Sequence, residues 1–198
     1  MKKKLLGLIV LVGLTFTLSG CQDLTMLFKG YEESFKGLEM NIQTYDEESQ
    51  LIDKVTGRSI MIERDSTFDS DIESADSSVL QITIGDKEIH HVGSSMIIAE
   101  RGLTNVFDEY AKTVDLQNME RGIPVINSMV NDFRNSFTGK KKVILIRSQN
   151  GTPLATYAGN NVSLYKTDVP KSTGFLIDNQ YLFVYRCDYT VYDLDLIN

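Results

Sequence analysis

The sequence is poor in the residues that announce a chemistry. Two cysteines and two histidines among 198 residues exclude a disulfide scaffold, and no zinc-type Cys/His spacing is present. Twenty basic against twenty-seven acidic side chains argue against a nucleic-acid binder, which needs a positive footprint. There is no serine-hydrolase elbow, phosphate-cradling loop, dinucleotide fingerprint or zinc-protease helix. Gly93-Ser94-Ser95 lacks the flanking glycines of an elbow. The chain is also short for a two-lobed solute receptor. Its composition, 42% hydrophobic and 24% charged, is that of an ordinary globular protein and indicates one domain.

The first residues form a distinct unit. Lys2, Lys3 and Lys4 precede an apolar run, Leu5 to Leu18, broken only by Gly7, Gly13, Thr15 and Thr17. The run has signal-peptide length and is too short for a comfortable membrane span. It ends in Leu18-Ser19-Gly20-Cys21, the pattern of a bacterial lipoprotein signal: a leucine, two small residues and a cysteine. The small residues let the strand enter a narrow peptidase cleft, and the Cys21 sulfur can carry a diacylglycerol thioether. The sequence therefore predicts a signal peptide at 1–20 and a mature chain beginning at acylated Cys21. Two or three acyl chains bind membrane stably where one binds marginally. Cys187 remains as a lone cysteine, and an exported chain without a disulfide fits a Gram-positive surface.

Residues 21–37 read as a lipidated juxtamembrane tether. Leu24, Leu27, Phe28, Tyr31, Phe35 and Leu38 share one helical face, while Gly30 and Gly37 weaken the helix. This segment is either an interfacial helix or a short helix or loose tether beside the domain. From residue 38 the pattern turns to period two, and residues 38–198 read as a single β-rich domain. Its first β half covers 38–102, with a hairpin signal at Gly85-Asp86 and a long β-type run from Ile89 to Ala99. A helical segment covers 103–139. There Ile126, Met129, Val130, Phe133 and Phe137 form an apolar stripe between Pro124 and Gly139. Val106, Phe107, Tyr110, Ala111 and Val114 suggest a weaker helix before it. Phe133 is expected to pack into the interior. A second β half covers 140–198, with the turn signal Asn150-Gly151.

The two β halves look alike. Leu51 to Ile62, with a turn at Gly57, parallels Leu154 to Leu164, with a turn at Gly159. Ile84-Gly85-Asp86 parallels Ile177-Asp178-Asn179. The expected fold is thus mainly β with a helical insertion (α+β). A duplicated four-stranded antiparallel unit forms a sandwich or a barrel, with the helix between the halves.

Candidate sites are few, and each has a bland reading beside it. His90 and His91 alternate across a strand, so they point to opposite faces and cannot share one metal. They read as ordinary half-buried strand residues, or else as a general base or a metal site completed by carboxylates from elsewhere. Asp69, Asp71 and Glu73 have the odd spacing of calcium ligands, but Ser74 and Leu80 stand where an EF-hand needs glycine and glutamate. A polar acidic loop is the alternative. Lys140, Lys141 and Lys142, with Arg121 and Arg134, would meet anionic lipid or wall polymer, or cap a helix dipole. Cys187 reads as a packed side chain or a redox thiol. No cofactor, metal ligand or catalytic residue is assigned. The one assigned site is the lipidation site, Cys21.

The stretches Thr44-Tyr45-Asp46 to Ile62, Ile89 to Ser95, and Ile146-Arg147-Ser148-Gln149-Asn150-Gly151 to Asp193 resemble the domain-of-unknown-function 5052 family, small lipoproteins of Gram-positive bacteria. The resemblance spans nearly the whole mature chain. It implies no activity and carries over only the lipidated cysteine, Cys21. A looser likeness, through a repeated Asp-turn-Leu-x-x-x-x-Gly pattern, runs to tubby-like plant and scramblase domains, whose barrels end in their helix. The functional expectation is a lipid-anchored surface lipoprotein on the extracytoplasmic face of the cell membrane. It is read as non-catalytic, with membrane lipid as one partner through Cys21 and a protein or envelope polymer as another. The alternative is a hydrolase acting on a cell-envelope polymer through carboxylates such as Asp46, Glu47 and Asp188.

Overall fold

β-Branched and aromatic residues dominate the period-two stretches from residue 38 onward, and the chain answers with strands. The computed structural model describes residues 35–69, 79–111 and 139–196. The first half gives β1 (Glu39–Tyr45), β2 (Leu51–Arg58), β3 (Ile60–Arg64), β4 (Leu80–Ile84), β5 (Lys87–His91) and β6 (Ser95–Glu100). A short helix, α1 (Val106–Ala111), follows. The second half gives β7 (Lys142–Arg147), β8 (Pro153–Gly159), β9 (Val162–Lys166), β10 (Ser172–Ile177), β11 (Gln180–Tyr185) and β12 (Asp188–Asp193). A single 3-10 turn, Leu194–Leu196, closes the described chain. The apolar stripe at 126–137 with Phe133, Val114, the tether stripe before Phe35, and Cys21 lie outside the described residues.

The strands form three antiparallel sheets, in the orders β2-β1-β6-β11-β10-β9, β12-β7-β8 and β3-β4-β5. Among the described residues no sheet closes on itself. Among the described residues the first half thus has six strands where the sequence suggested a four-stranded unit. The run Ile89 to Ala99 is divided by a turn at Gly93, whose φ is 93°, so one expected strand becomes β5 and β6. Arg186, at φ 51°, divides Tyr181 to Tyr192 into β11 and β12 in the same way.

Pairings in the two halves correspond. β1 pairs with β2 and β6 as β7 pairs with β8 and β12. β4 pairs with β3 and β5 as β10 pairs with β9 and β11. The registers correspond too. Met40 faces Gly57 and Glu100, while Lys142 faces Gly159 and Asp193. Ile60 faces Ile84 as Val162 faces Ile177. The β1–β2 and β7–β8 turns match in detail. Each strand pair slips register at the turn, at Thr44/Tyr45 and at Ile146/Arg147. Asp46 N–H bonds Gln50 O at 3.0 Å and Ser148 N–H bonds Thr152 O at 2.8 Å. Ser49 and Gly151 hold the positive φ that each turn requires.

Alternation along the strands places the cores. One face of the six-stranded sheet carries Tyr45, Ile97, Ala99, Phe175, Ile177, Leu182 and Val184, packed on Ile144, Ile146, Ala155 and Tyr157 of the β12-β7-β8 sheet. The other face carries Met40, Ile42, Met96, Ile98, Phe183 and Tyr185, all buried. The β3-β4-β5 sheet lies against it, with Ile84 abutting Gly57 and the His91 ring meeting the Tyr185 ring edge-on at 5.9 Å. Its inward residues Ile60, Ile62, Leu80 and Ile82 are buried. β6 and β11 are therefore apolar on both faces, and burying each large side chain contributes about 1.5–3 kcal/mol.

Candidate functional site

β5 carries both histidines, and alternation separates them as the sequence predicts. His91 turns inward, its Nε2 3.0 Å from Ser94 O. His90 turns outward, its Nε2 3.0 Å from Asp65 Oδ2 and its ring edge-on to Phe68. Asp65 begins the connection after β3, where its Oδ1 accepts the N–H groups of Thr67 and Phe68 at 2.9 and 3.2 Å. Asp69 N–H bonds Asp65 O at 2.8 Å, and Asp69 takes the Arg64 guanidinium at 2.5 Å. The Asp69 carboxylate, which the sequence offers as part of an acidic loop or as a calcium ligand, is thus engaged by a cation of its own chain. Asp71 and Glu73 lie outside the described residues. Sequence reading missed Arg64 and Asp65, because their partners come from a turn and from β5 rather than from a short motif.

Two of the three lysines of the basic run are likewise engaged. Lys140 Nζ lies 2.9 Å from Asp178 and Lys142 Nζ 2.8 Å from Asp193. Asp178 also accepts the N–H groups of Asn161 and Asn160, at 2.8 and 2.9 Å. These amides, with Lys140, hold its carboxyl below the ordinary value of 3.8. Arg121 and Arg134 lie outside the described residues.

Cys187 sits beside the apolar cluster, its Sγ 3.3 Å from Tyr185 O and 3.7 Å from Met96 O. Burial pushes the thiol up to about 12, against the opposing hydrogen bonds from Ser95 and the backbone. A thiol held there is protonated at neutral pH, and only the thiolate is nucleophilic. Burial also pushes the Tyr45 and Tyr157 phenols upward. Of the carboxylates named for hydrolysis, Asp46 closes the β1–β2 turn by accepting Gln50 N–H at 2.7 Å. Glu47 offers its backbone carbonyl to Ser148 Oγ at 3.1 Å. Asp188 is exposed at the start of β12. Among the described residues no three His, Cys, Asp or Glu side chains are grouped to hold a metal.

The surface offers a sharper contrast. β2 is an edge strand, exposed nearly throughout, with Leu51 48%, Ile52 53% and Val55 36% accessible. By register, its counterpart is β8, whose matching Leu154 and Tyr157 are each 2% accessible. α1 packs on β8, and Asn105 caps that helix and β8 together. Its Oδ1 accepts Phe107 N–H at 3.1 Å and the edge amide of Thr156 at 2.9 Å. Among the described residues no side chain caps the matching position on β2, Lys54. Solvent-facing apolar residues on an edge strand are what a partner strand or peptide covers.

No curated protein and no solved structure matches the chain. The model of the domain of unknown function 5052 family matches residues 3–197. With nearly the whole sequence covered by that match, the chain belongs to the domain-of-unknown-function 5052 family.

Proposed function

We propose that this chain is a lipid-anchored bacterial surface lipoprotein whose β-rich domain is a non-catalytic binding module. In this reading residues 1–20 are removed, Cys21 is acylated, and residues 21–37 tether the domain to the extracytoplasmic face of a Gram-positive membrane. The two β halves are copies of one ancestral unit, linked by the helical segment 103–139. The matching strand registers support the duplication. The Lys2–Lys4, Leu5–Leu18 and Leu18-Ser19-Gly20-Cys21 sequence supports the anchor. Among the described residues no helix is long and apolar enough to cross a membrane.

One observation carries the binding role: β2 is bare where its counterpart β8 is covered by α1 and Asn105. A protein segment adding to the β2 edge would gain main-chain hydrogen bonds and cover Leu51, Ile52 and Val55. Two measurements test the reading. Cys21→Ser should lose acyl labelling and leave the membrane fraction; retention through a high-salt wash refutes the anchor. A photo-reactive residue at Leu51 should give one discrete adduct in living cells, lost when Ile52→Lys is added. An adduct pattern no different from one obtained at exposed Asp86 refutes the binding edge.

A further inference from the structure

Among the described residues the two halves are joined by one strand pair, β6 with β11, in which Ile98 faces Phe183 and Ile97 faces Val184. By the corresponding registers, β12 holds in the second half the position of β6. β5 holds in the first half the position of β11. β6 and β11 are paired to each other, whereas β12 and β5 each pair on one side only among the described residues. They cannot pair within one molecule, because their sheets pack on opposite faces of the six-stranded sheet. We propose that β12 of one molecule pairs antiparallel with β5 of a second copy, repeating the internal junction between chains.

The proposed register follows from the internal one. Ile98 facing Phe183 becomes Val191 facing His90, and Met96 facing Tyr185 becomes Tyr189 facing Val92. The phase of the hydrogen bonds agrees. Arg101 N–H bonds Glu39 O, and at the matching place Leu194 N–H bonds Lys141 O. Antiparallel bonding alternates from these points, so Ile98 and Val191 both turn their N–H and C=O away from the strand already paired. Asp65 N–H bonded to Val79 O sets the same alternation in the other sheet and turns the His90 backbone outward.

The end of the internal junction is closed by an acid. Glu100 accepts the Tyr181 N–H at 2.9 Å. The matching residues are Asp193, whose carboxylate is held by Lys142 at 2.8 Å, and Glu88; the amide is repeated, while the two acidic side chains opposite each other oppose the pairing at this end. Val92, 66% exposed, is the counterpart of Tyr185, which is fully buried at the internal junction. Neither β5 nor β12 carries a proline or a register slip, two of the devices that blunt an edge; the charges at Lys87, Glu88, Asp188 and Asp193 stand toward the strand ends and leave Ile89 to His91 and Tyr189 to Tyr192 uncharged at neutral pH apart from histidine. Because the contact joins two different edges, it is heterologous, and it propagates head to tail.

Cysteine pairing in whole cells tests this with the full chain. Glu88→Cys and Asp193→Cys, both at exposed positions, would stand directly opposite across the junction, within disulfide reach. Co-expressed single variants carrying different tags should form a disulfide-linked heterodimer on mild oxidation. Neither variant should link to itself at a comparable yield, and the double variant should give a ladder. Adding Val92→Lys, on a side chain that the isolated fold leaves in water, should reduce the ladder at least tenfold without lowering the melting temperature. A ladder that survives Val92→Lys overturns the proposal. So does a yield equal to that of the control pair Lys54→Cys and Leu164→Cys.

Discussion

At Gly159 one added methyl group meets a buried side chain with no room to turn away. This glycine ends β8 opposite Ile177, and an alanine Cβ there would lie 2.6 Å from Ile177 Cγ2 and 3.4 Å from Asp178 Oδ2. Ordinary carbon contacts are about 3.5–4.0 Å, so one of the two must move by about an ångström. Ile177 is 1% exposed and Phe175, in the same cluster, is fully buried. Overpacking of this kind costs about 1–3 kcal/mol. For a domain of this size that lowers the melting temperature by roughly 2–4 °C per kcal/mol. Gly57→Ala is the natural comparison, because its Cβ would come closer still, 2.1 Å from Ile84 Cγ2. Ile84, however, is only half-buried and can turn toward water, so the smaller loss is expected at Gly57 despite the shorter approach. Ile177→Ala supplies the coupling test. Alone it costs about 2–5 kcal/mol. In its background Gly159→Ala should cost markedly less than in the native chain, because the opposing Cγ2 is gone. Thermal melts of the four chains read this directly. An unchanged melting temperature for Gly159→Ala, or the same increment in both backgrounds, refutes the packing argument.

Alkaline stability should fall from about pH 9 toward 12, because the native Cys187 thiol keeps a proton that the unfolded thiol, with its ordinary value of 9.0, releases. The raised Tyr45 and Tyr157 phenols add to the fall above pH 10. Urea midpoints across this range check it: Cys187→Ala should flatten the early part, and identical slopes refute it. Asp178→Ala removes the acceptor of the Asn160 and Asn161 amides and the partner of Lys140. It should destabilise by about 1 kcal/mol or more. Because the native carboxyl lies below 3.8, that stabilisation is present above this pH and lost as pH falls through the native value. A variant–native difference that stays constant from pH 6 to pH 2 contradicts the assignment.

Much of the β architecture was legible because it rests on local signals. Asn150-Gly151 and Gly85-Asp86 mark turns by backbone preference alone, and the alternation of His90 and His91 follows from strand geometry. The strand count exceeds the sequence expectation where turns lack a familiar residue pair. Arg186 takes a positive φ without being glycine, asparagine or aspartate, so nothing local announces the break between β11 and β12. The sequence pattern places Gly57 and Gly159 at turns. They lie in strands instead, at the ends of β2 and β8, where Ile84 and Ile177 come too close for a Cβ. The ion pairs were not legible either. Asp69 was grouped with its sequence neighbours, whereas its partner is Arg64 across a turn, and His90 reaches Asp65 only because β3, β4 and β5 assemble. The bareness of β2 against the burial of β8 depends on what packs over each strand. Leu51-Ile52 and Pro153-Leu154 do not advertise that difference.

The junction of β6 with β11 also governs the order in which the domain comes into being. All six strands of the first half are made before β7 begins, yet β6 keeps one edge and part of one apolar face open until β11 arrives about eighty residues later. During that interval the nascent chain presents Ile97 and Ala99 to whatever is nearby, including the β6 of another unfinished molecule. Once β11 docks, the same residues are sealed between two sheets. Amides of β6 and β11 should then exchange with solvent only through global opening, which makes their exchange rate a direct reading of the free energy of the whole domain.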